Sequence, residues 1–272
     1  MPRAPAFAGA QNSRVLGLGL PSVEPALFAL IFVMVRIGAA FVAAPVFGAV
    51  SVPLPVRIVL AGAIGILVVN NASVATPQAV FSLETFLQVA QEALVGLALG
   101  FILQIAFAGP LVASEAIGNT MGLGFATSVD PQRGAPSPAL GQFLSIVMVL
   151  LFLALDGHLI LVDLVVRSYS VLPPGEAWLS AAKLKAIALF GSYAFASGLL
   201  LALPVGFILL CLNIIVGMIS RSAPALNLFA IGLPASLATG LVALAIAFPA
   251  MGDAMGLIIR EALSATANLV LG

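Results

Sequence analysis

Long uncharged stretches dominate the chain. Bounded by charged residues, they cover 37–56, 58–83, 93–114, 134–155, 186–220 and 222–252, each close to or above the roughly 20 residues that a helix needs to cross a hydrocarbon core. The pattern predicts six apolar segments joined by short polar connections, including 76–92 and 166–185. The first segment starts near Ala26 and contains Arg36. A lipid-facing position at mid-bilayer would cost that charge at least ~2.5 kcal/mol, so Arg36 is expected to face protein or water.

Prolines interrupt this pattern. Pro45, Pro53 and Pro55 fall in the first region and Pro110 in the third, while Pro204, Pro224, Pro234 and Pro249 punctuate the last two. Each removes a backbone donor and disfavours helical backbone at the preceding residue. Broken rather than straight helices are therefore expected, packed in protein or lining a water-filled path, because lipid cannot satisfy free backbone groups.

The stretch 115–140, EAIGNTMGLGFATSVDPQRGAPSPAL, is too rich in Gly, Ser and Pro to be expected as helix and too apolar for a solvated loop. A re-entrant packing loop fits it. So does a constriction element, in which glycines allow tight turns and Met121 with Phe125 forms a compliant apolar seal. Downstream, Asp156-Gly157-His158 closes an apolar run. It is expected to end a helix at Gly157, with His158 hydrogen-bonded at the boundary. Asp163 and Arg167 stand four apart, the spacing of a helix-face ion pair. Arg221, Pro224, Asn227, Gly232 and Pro234 mark a turn between two antiparallel helices, with Asn213 and Asn227 suited to interhelical hydrogen bonds. The spacings Gly96 to Gly100 and Ala194 to Gly198 would let helices approach closely.

Composition narrows the function classes. Of 272 residues, 62% are hydrophobic and 7% charged, with mean hydropathy +1.23, whereas soluble domains are about one quarter charged. This is the composition of an integral membrane protein. Ten basic residues balance ten acidic ones, leaving no field to hold nucleic acid. One cysteine, Cys211, and one histidine, His158, cannot build a disulfide or a His/Cys metal centre. No GxxxxGK[ST], HExxH or GxSxG motif occurs, so no cofactor and no catalytic constellation is expected. Residues 1–23 read as an amino-terminal extension rather than a secretory signal, whose apolar core would be longer. Residues 24–272 read as one membrane domain.

Four motifs in order, MGLGFATSVDP at 121–131, LALDGHL at 153–159, LALPVGFILLCLN at 201–213 and SRSAPALNLFAIGLP at 220–234, carry a resemblance from about residue 26 to about residue 250. The chain resembles the FliR family of flagellar export-gate proteins, whose counterparts in virulence secretion are the SctT proteins. The resemblance implies an all-α integral membrane protein of broken helical hairpins in a helical export-gate assembly, similar to a FliP-like plus FliQ-like fusion. It implies FliP-like and FliQ-like subunits and an FlhB-like protein as partners, unfolded flagellar proteins as cargo, membrane lipid around it, and a place in the bacterial inner membrane at the flagellar basal body.

It further implies a pore-plugging loop at 118–130, with Met121, Gly122, Leu123, Gly124, Phe125 and Asp130 at its motif. Arg36, Glu115 and Arg221 are expected to make buried polar contacts that fix subunit register, with Asp156, His158, Pro224, Asn227, Gly232 and Pro234 in structural or assembly roles. The equivalent virulence-secretion subunit stands as an alternative. A small-molecule secondary transporter is a second one, which would need intramembrane carboxylates such as Glu115 for ion coupling.

Overall fold

A computed structural model describes residues 23–71, 82–123, 139–174, 180–222 and 228–271, of whose side chains those at 23–25, 228–231 and 271 are excepted. Eight helices lie in these segments: α1 (Val23–Ala43), α2 (Leu54–Asn71), α3 (Leu83–Thr120), α4 (Ala139–Ala154), α5 (Gly157–Val171), α6 (Ala181–Phe190), α7 (Tyr193–Ser222) and α8 (Leu228–Leu271). No strand occurs among the described residues. Five spans are long and apolar enough to cross a membrane, or six if α4 and α5, bent by 63° at Asp156, count as one broken span.

α3 is the axial element. It packs against α1 along its first half and against α7 and α8 along its second. Glycine makes the α1 contact possible. A methyl group at Gly96 would overlap the Arg36 carbonyl oxygen, and one at Gly100 would overlap that of Ala40, so the two backbones meet through the small-residue spacing seen in the sequence. Leu99, Leu103 and Ile117 of α3 are fully buried in one core with Ile37 and Phe41 of α1, Leu209 of α7 and Ile259 of α8.

Several expected breaks are absent. Pro110, Pro204, Pro234 and Pro249 all lie inside continuous helices. A proline in a helix costs about 3 kcal/mol, whereas opening a whole turn in hydrocarbon would leave several unsatisfied polar groups, each costing several kcal/mol. Among the described residues the chain is interrupted where Pro45 and Pro53 were expected to break it, and also at Asp156 and at Gly191 and Ser192 between α6 and α7. The first of these interruptions is the turn from α1 to α2, where Val46 takes φ 69°, Phe41 stacks on Phe47 at 4.6 Å, and Arg57 of α2 donates to the Ala49 carbonyl.

A second interruption is at Asp156. This residue, and not Gly157, adopts left-handed backbone, with φ 54° and ψ 22°. Asp tolerates that region better than most residues with a side chain. Gly157 is instead the first residue of α5, and it is needed for space, because a methyl there would strike the Phe152 ring. The connection expected at 76–92 is also shorter than the charges suggest. Ser82 caps α3 by accepting from the Thr85 amide at 3.1 Å, so Glu92 stands inside a helix. At its far end α3 continues to Thr120, and the first six residues of the stretch expected to be irregular are helical.

Candidate functional site

Two constructions stand out, one at each end of α3. The first surrounds Arg36, which is 1% exposed. Its Nε donates to Glu92 Oε2 at 2.8 Å and its Nη2 to Glu92 Oε1 at 2.8 Å, a bidentate pair of the kind that planar guanidinium and carboxylate groups favour. Its Nη1 donates to Ser168 Oγ at 2.9 Å, and Nη2 donates again to the Leu172 carbonyl at 3.0 Å. The guanidinium carbon lies 4.2 Å above the centre of the Tyr169 ring, within cation–π range. Tyr169 in turn donates its hydroxyl to the Val33 carbonyl at 2.7 Å.

This cluster joins α1, α3 and α5 in a region with 2% exposure at Glu92 and none at Ser168. Placing Arg36 in an apolar helix is tolerable because Glu92 cancels its charge and Ser168 and the Leu172 carbonyl accept further hydrogen bonds. Sequence reasoning identified the arginine but missed Glu92, Ser168 and Tyr169. Among the described residues, Arg36 bonds to Glu92, Ser168 and Leu172. Glu115 and Arg221 are exposed on α3 and α7 and take no part in the cluster.

The second construction is the carboxyl end of α3. Met121 is the capping residue, and its amide donates to the Ile117 carbonyl at 2.9 Å. Gly122 follows with φ 81°. The Gly122 amide donates to Asn119 at 3.1 Å and the Leu123 amide to Gly118 at 2.9 Å. This is a Schellman termination, in which a left-handed glycine lets two amides turn back onto otherwise unpaired carbonyls. The Leu123 side chain lies near Gly118.

Of the expected loop residues, Met121 is therefore buried at 3% exposure and Leu123 is 38% exposed. Gly124, Phe125 and Asp130 lie outside the described residues, as do Pro224 and Asn227.

The remaining expected positions are dispersed. Asp156 is exposed at the α4–α5 bend. His158 differs from expectation: its Nδ1 is buried with no hydrogen-bond partner among the described residues. Gly232 faces Val216 of α7, and Pro234 lies in α8. Ser236 of α8 donates to Asn213 of α7 at 3.4 Å, a long interhelical bond at the position Asn213 suggested. Asp163 and Arg167 form their exposed pair at 2.8 Å. No group of three His, Cys, Asp or Glu residues that could hold a metal occurs among the described residues.

Long apolar helices around a paired internal charge, with glycine-mediated contacts between them, define an all-helical integral membrane protein. The chain belongs to the family described as "Bacterial export proteins, family 1", whose profile matches residues 27–262. It is 38% identical over 216 residues to the "Flagellar biosynthetic protein FliR" of Escherichia coli (strain K12), covering 79% of this chain and 82% of that protein. To the protein of the same name from Bacillus subtilis (strain 168) it is 32% identical over 221 residues, covering 79% and 84% respectively. The Aquifex aeolicus (strain VF5) protein of that name is 29% identical over 227 residues, covering 83% and 87%.

Proposed function

We propose that this chain is a subunit of the flagellar type III protein export gate, forming part of the channel through which unfolded flagellar proteins leave the cytoplasm. The observation that carries the reading is the family match over residues 27–262, with relatives named as flagellar biosynthetic proteins at up to 38% identity. The same names favour the flagellar over the virulence-secretion reading, and neither that alternative nor a small-molecule transporter has an observation of its own. The chain acts as a conduit wall and not as an enzyme, with export energy supplied by other components. FliP-like and FliQ-like subunits and an FlhB-like protein are its partners at the basal body in the inner membrane.

Within the gate, the segment beginning at Met121 closes the pore by apolar contact and moves aside for a substrate chain. The apolar residues and glycines of 121–125 support this role. Co-purification of the tagged protein from its native membrane, followed by mass determination of the intact complex, tests the assignment. Recovery with several FliP-like and FliQ-like chains is the expected result, and a lone chain or a homo-oligomer stable in gentle detergent would overturn it. Deletion of 121–125 should make membranes leaky to ions and small molecules while the complex still assembles. An unchanged leak would remove the plug role.

A further inference from the structure

We infer that α3 turns one face, from Gln104 to Asn119, to the water-filled conduit, and that Glu115 is the charge this face presents to a passing polypeptide. The inference rests on the export-gate reading above and names which side of the subunit the cargo meets. Between 94 and 119, the exposed positions of α3 fall on one side of the helix. Leu94, Leu97 and Phe101 begin this stripe, and Gln104, Leu111, Glu115 and Asn119 continue it at spacings of seven, four and four residues, which keep side chains on a common face.

The stripe changes character along its length. Its start is apolar, like the exposed side of α7, and can face lipid or an apolar neighbour. Beyond Phe101 it carries two amides and a carboxylate, and none of these three side chains has a hydrogen-bond or ion-pair partner among the described residues. Lipid leaves such amides unsatisfied and rejects the carboxylate. A dry contact with another subunit would need three matched polar partners spread over about 22 Å of helix, whereas water satisfies all three groups at once. The surface here is also concave. Between the α1–α2 turn, α3 and α4 lies a trough of about 460 Å³, lined by Gln104, Phe107 and Leu111 of the α3 face and by Ser145 of α4.

Such a face suits an unfolded chain in transit. The backbone amides and carbonyls of that chain need partners throughout the passage. A wholly apolar wall would lose its water, and a densely charged one would hold the chain back. Gln104 and Asn119 can each donate and accept, so they replace lost water one bond at a time. Glu115 is the single charge of the stripe. It favours basic stretches of cargo over acidic ones, and small cations over anions, at its level of the path.

The test uses the full chain in the assembled gate, in membranes. Gln104→Cys, Glu115→Cys and Asn119→Cys are made singly in a Cys211→Ser background, with Phe207→Cys on α7 for comparison, and the probe is a small water-soluble methanethiosulfonate cation. Because thiol reactivity follows access to water, the three α3 positions should react at least roughly tenfold faster than position 207. A substrate stalled in transit by a fused domain that does not unfold should suppress the reaction. Slow reaction at all three positions, or loss of the complex in all three variants, would mean that a neighbouring subunit covers the stripe and would overturn the inference. Fast reaction that the stalled substrate leaves unchanged would place the stripe in water outside the conduit, and would overturn it equally.

The charge has its own readout at Asn119→Cys, one turn from Glu115. Relative to their ratio on a free thiol, the cationic probe should react roughly threefold faster than an anionic probe of the same size, and adding Glu115→Gln should abolish that preference with the complex still recovered. A ratio unmoved by Glu115→Gln would remove Glu115 from the conduit wall. If the unsubstituted protein purifies without FliP-like and FliQ-like chains, the export-gate reading itself fails. Recovery of that complex with an unreactive stripe leaves the reading standing and rejects only the face.

Discussion

Arg36 and Glu92 neutralise each other through two bonds of 2.8 Å, so removing either strands the other's charge in a region with almost no water. Glu92→Ala or Arg36→Ala should each destabilise the protein by roughly 3–5 kcal/mol, whereas the double replacement Arg36→Met/Glu92→Leu should lie much closer to wild type. Thermal denaturation of the purified protein in detergent measures both, and equal losses in single and double variants would show that the pair is not coupled. Tyr169→Phe should cost roughly 1–2 kcal/mol in the same assay, since it leaves the Val33 carbonyl without its hydroxyl partner while the ring stays over Arg36. The arginine was legible in the sequence because it interrupts an apolar run. Its carboxylate was not, because Glu84 and Glu92 together make 76–92 look like a solvated connection. Only the capped start of α3 at Ser82 turns Glu92 inward, onto a helix face that reads as polar in one dimension.

At the scale of the helix, the small-residue spacing at Gly96 and Gly100 was readable beforehand, but its partner was not. The spacing says that some backbone comes close, and three-dimensional packing makes it that of α1. Gly100→Val should separate α1 from α3 and reduce the protein recovered from membranes severely, measured by immunoblot of membrane fractions; near-normal recovery would mean that this contact is soft. The end of α3 gives a finer case. Gly122 of the motif takes positive φ, with its amide and that of Leu123 turned back onto α3. Gly122→Val should cost about 1–2 kcal/mol, the strain of a branched residue in left-handed backbone, seen as a lowered midpoint in chemical denaturation. Proline misled in the opposite sense, since Pro110, Pro204, Pro234 and Pro249 each remove one bond but none ends a helix. A sequence rule about local backbone preference loses here to the cost of opening a helix away from water.

The molecule as a whole is longer than the layer it would occupy. At 1.5 Å per residue, the 38, 30 and 44 residues of α3, α7 and α8 reach about 57, 45 and 66 Å, against a hydrocarbon core of about 30 Å. Apolar surface covers that length, with Phe195 and Phe207 on α7 and Ile246 and Leu257 on α8 all more than half exposed in the isolated chain. This much greasy surface requires lipid or neighbouring subunits along most of each helix. Cys211, the chain's single cysteine, is exposed on α7 between such residues. In intact membranes it should resist a membrane-impermeant maleimide and react once the complex is dissolved in denaturing detergent. Rapid labelling before solubilisation would mean that this part of α7 faces water.

The ion pair also has a consequence in time. Glu92 lies 56 residues behind Arg36 in the chain, and Ser168 lies 132 behind it. At roughly 5–20 residues per second of ribosomal synthesis, α1 leaves the ribosome about 3–11 s before its counter-charge exists. During that interval a lone guanidinium at mid-bilayer costs at least ~2.5 kcal/mol. Insertion of α1 and α3 as a pair would spare that cost, and the expected outcome is that truncation before Glu92 lowers the membrane insertion of α1, measured by glycosylation mapping of nascent chains.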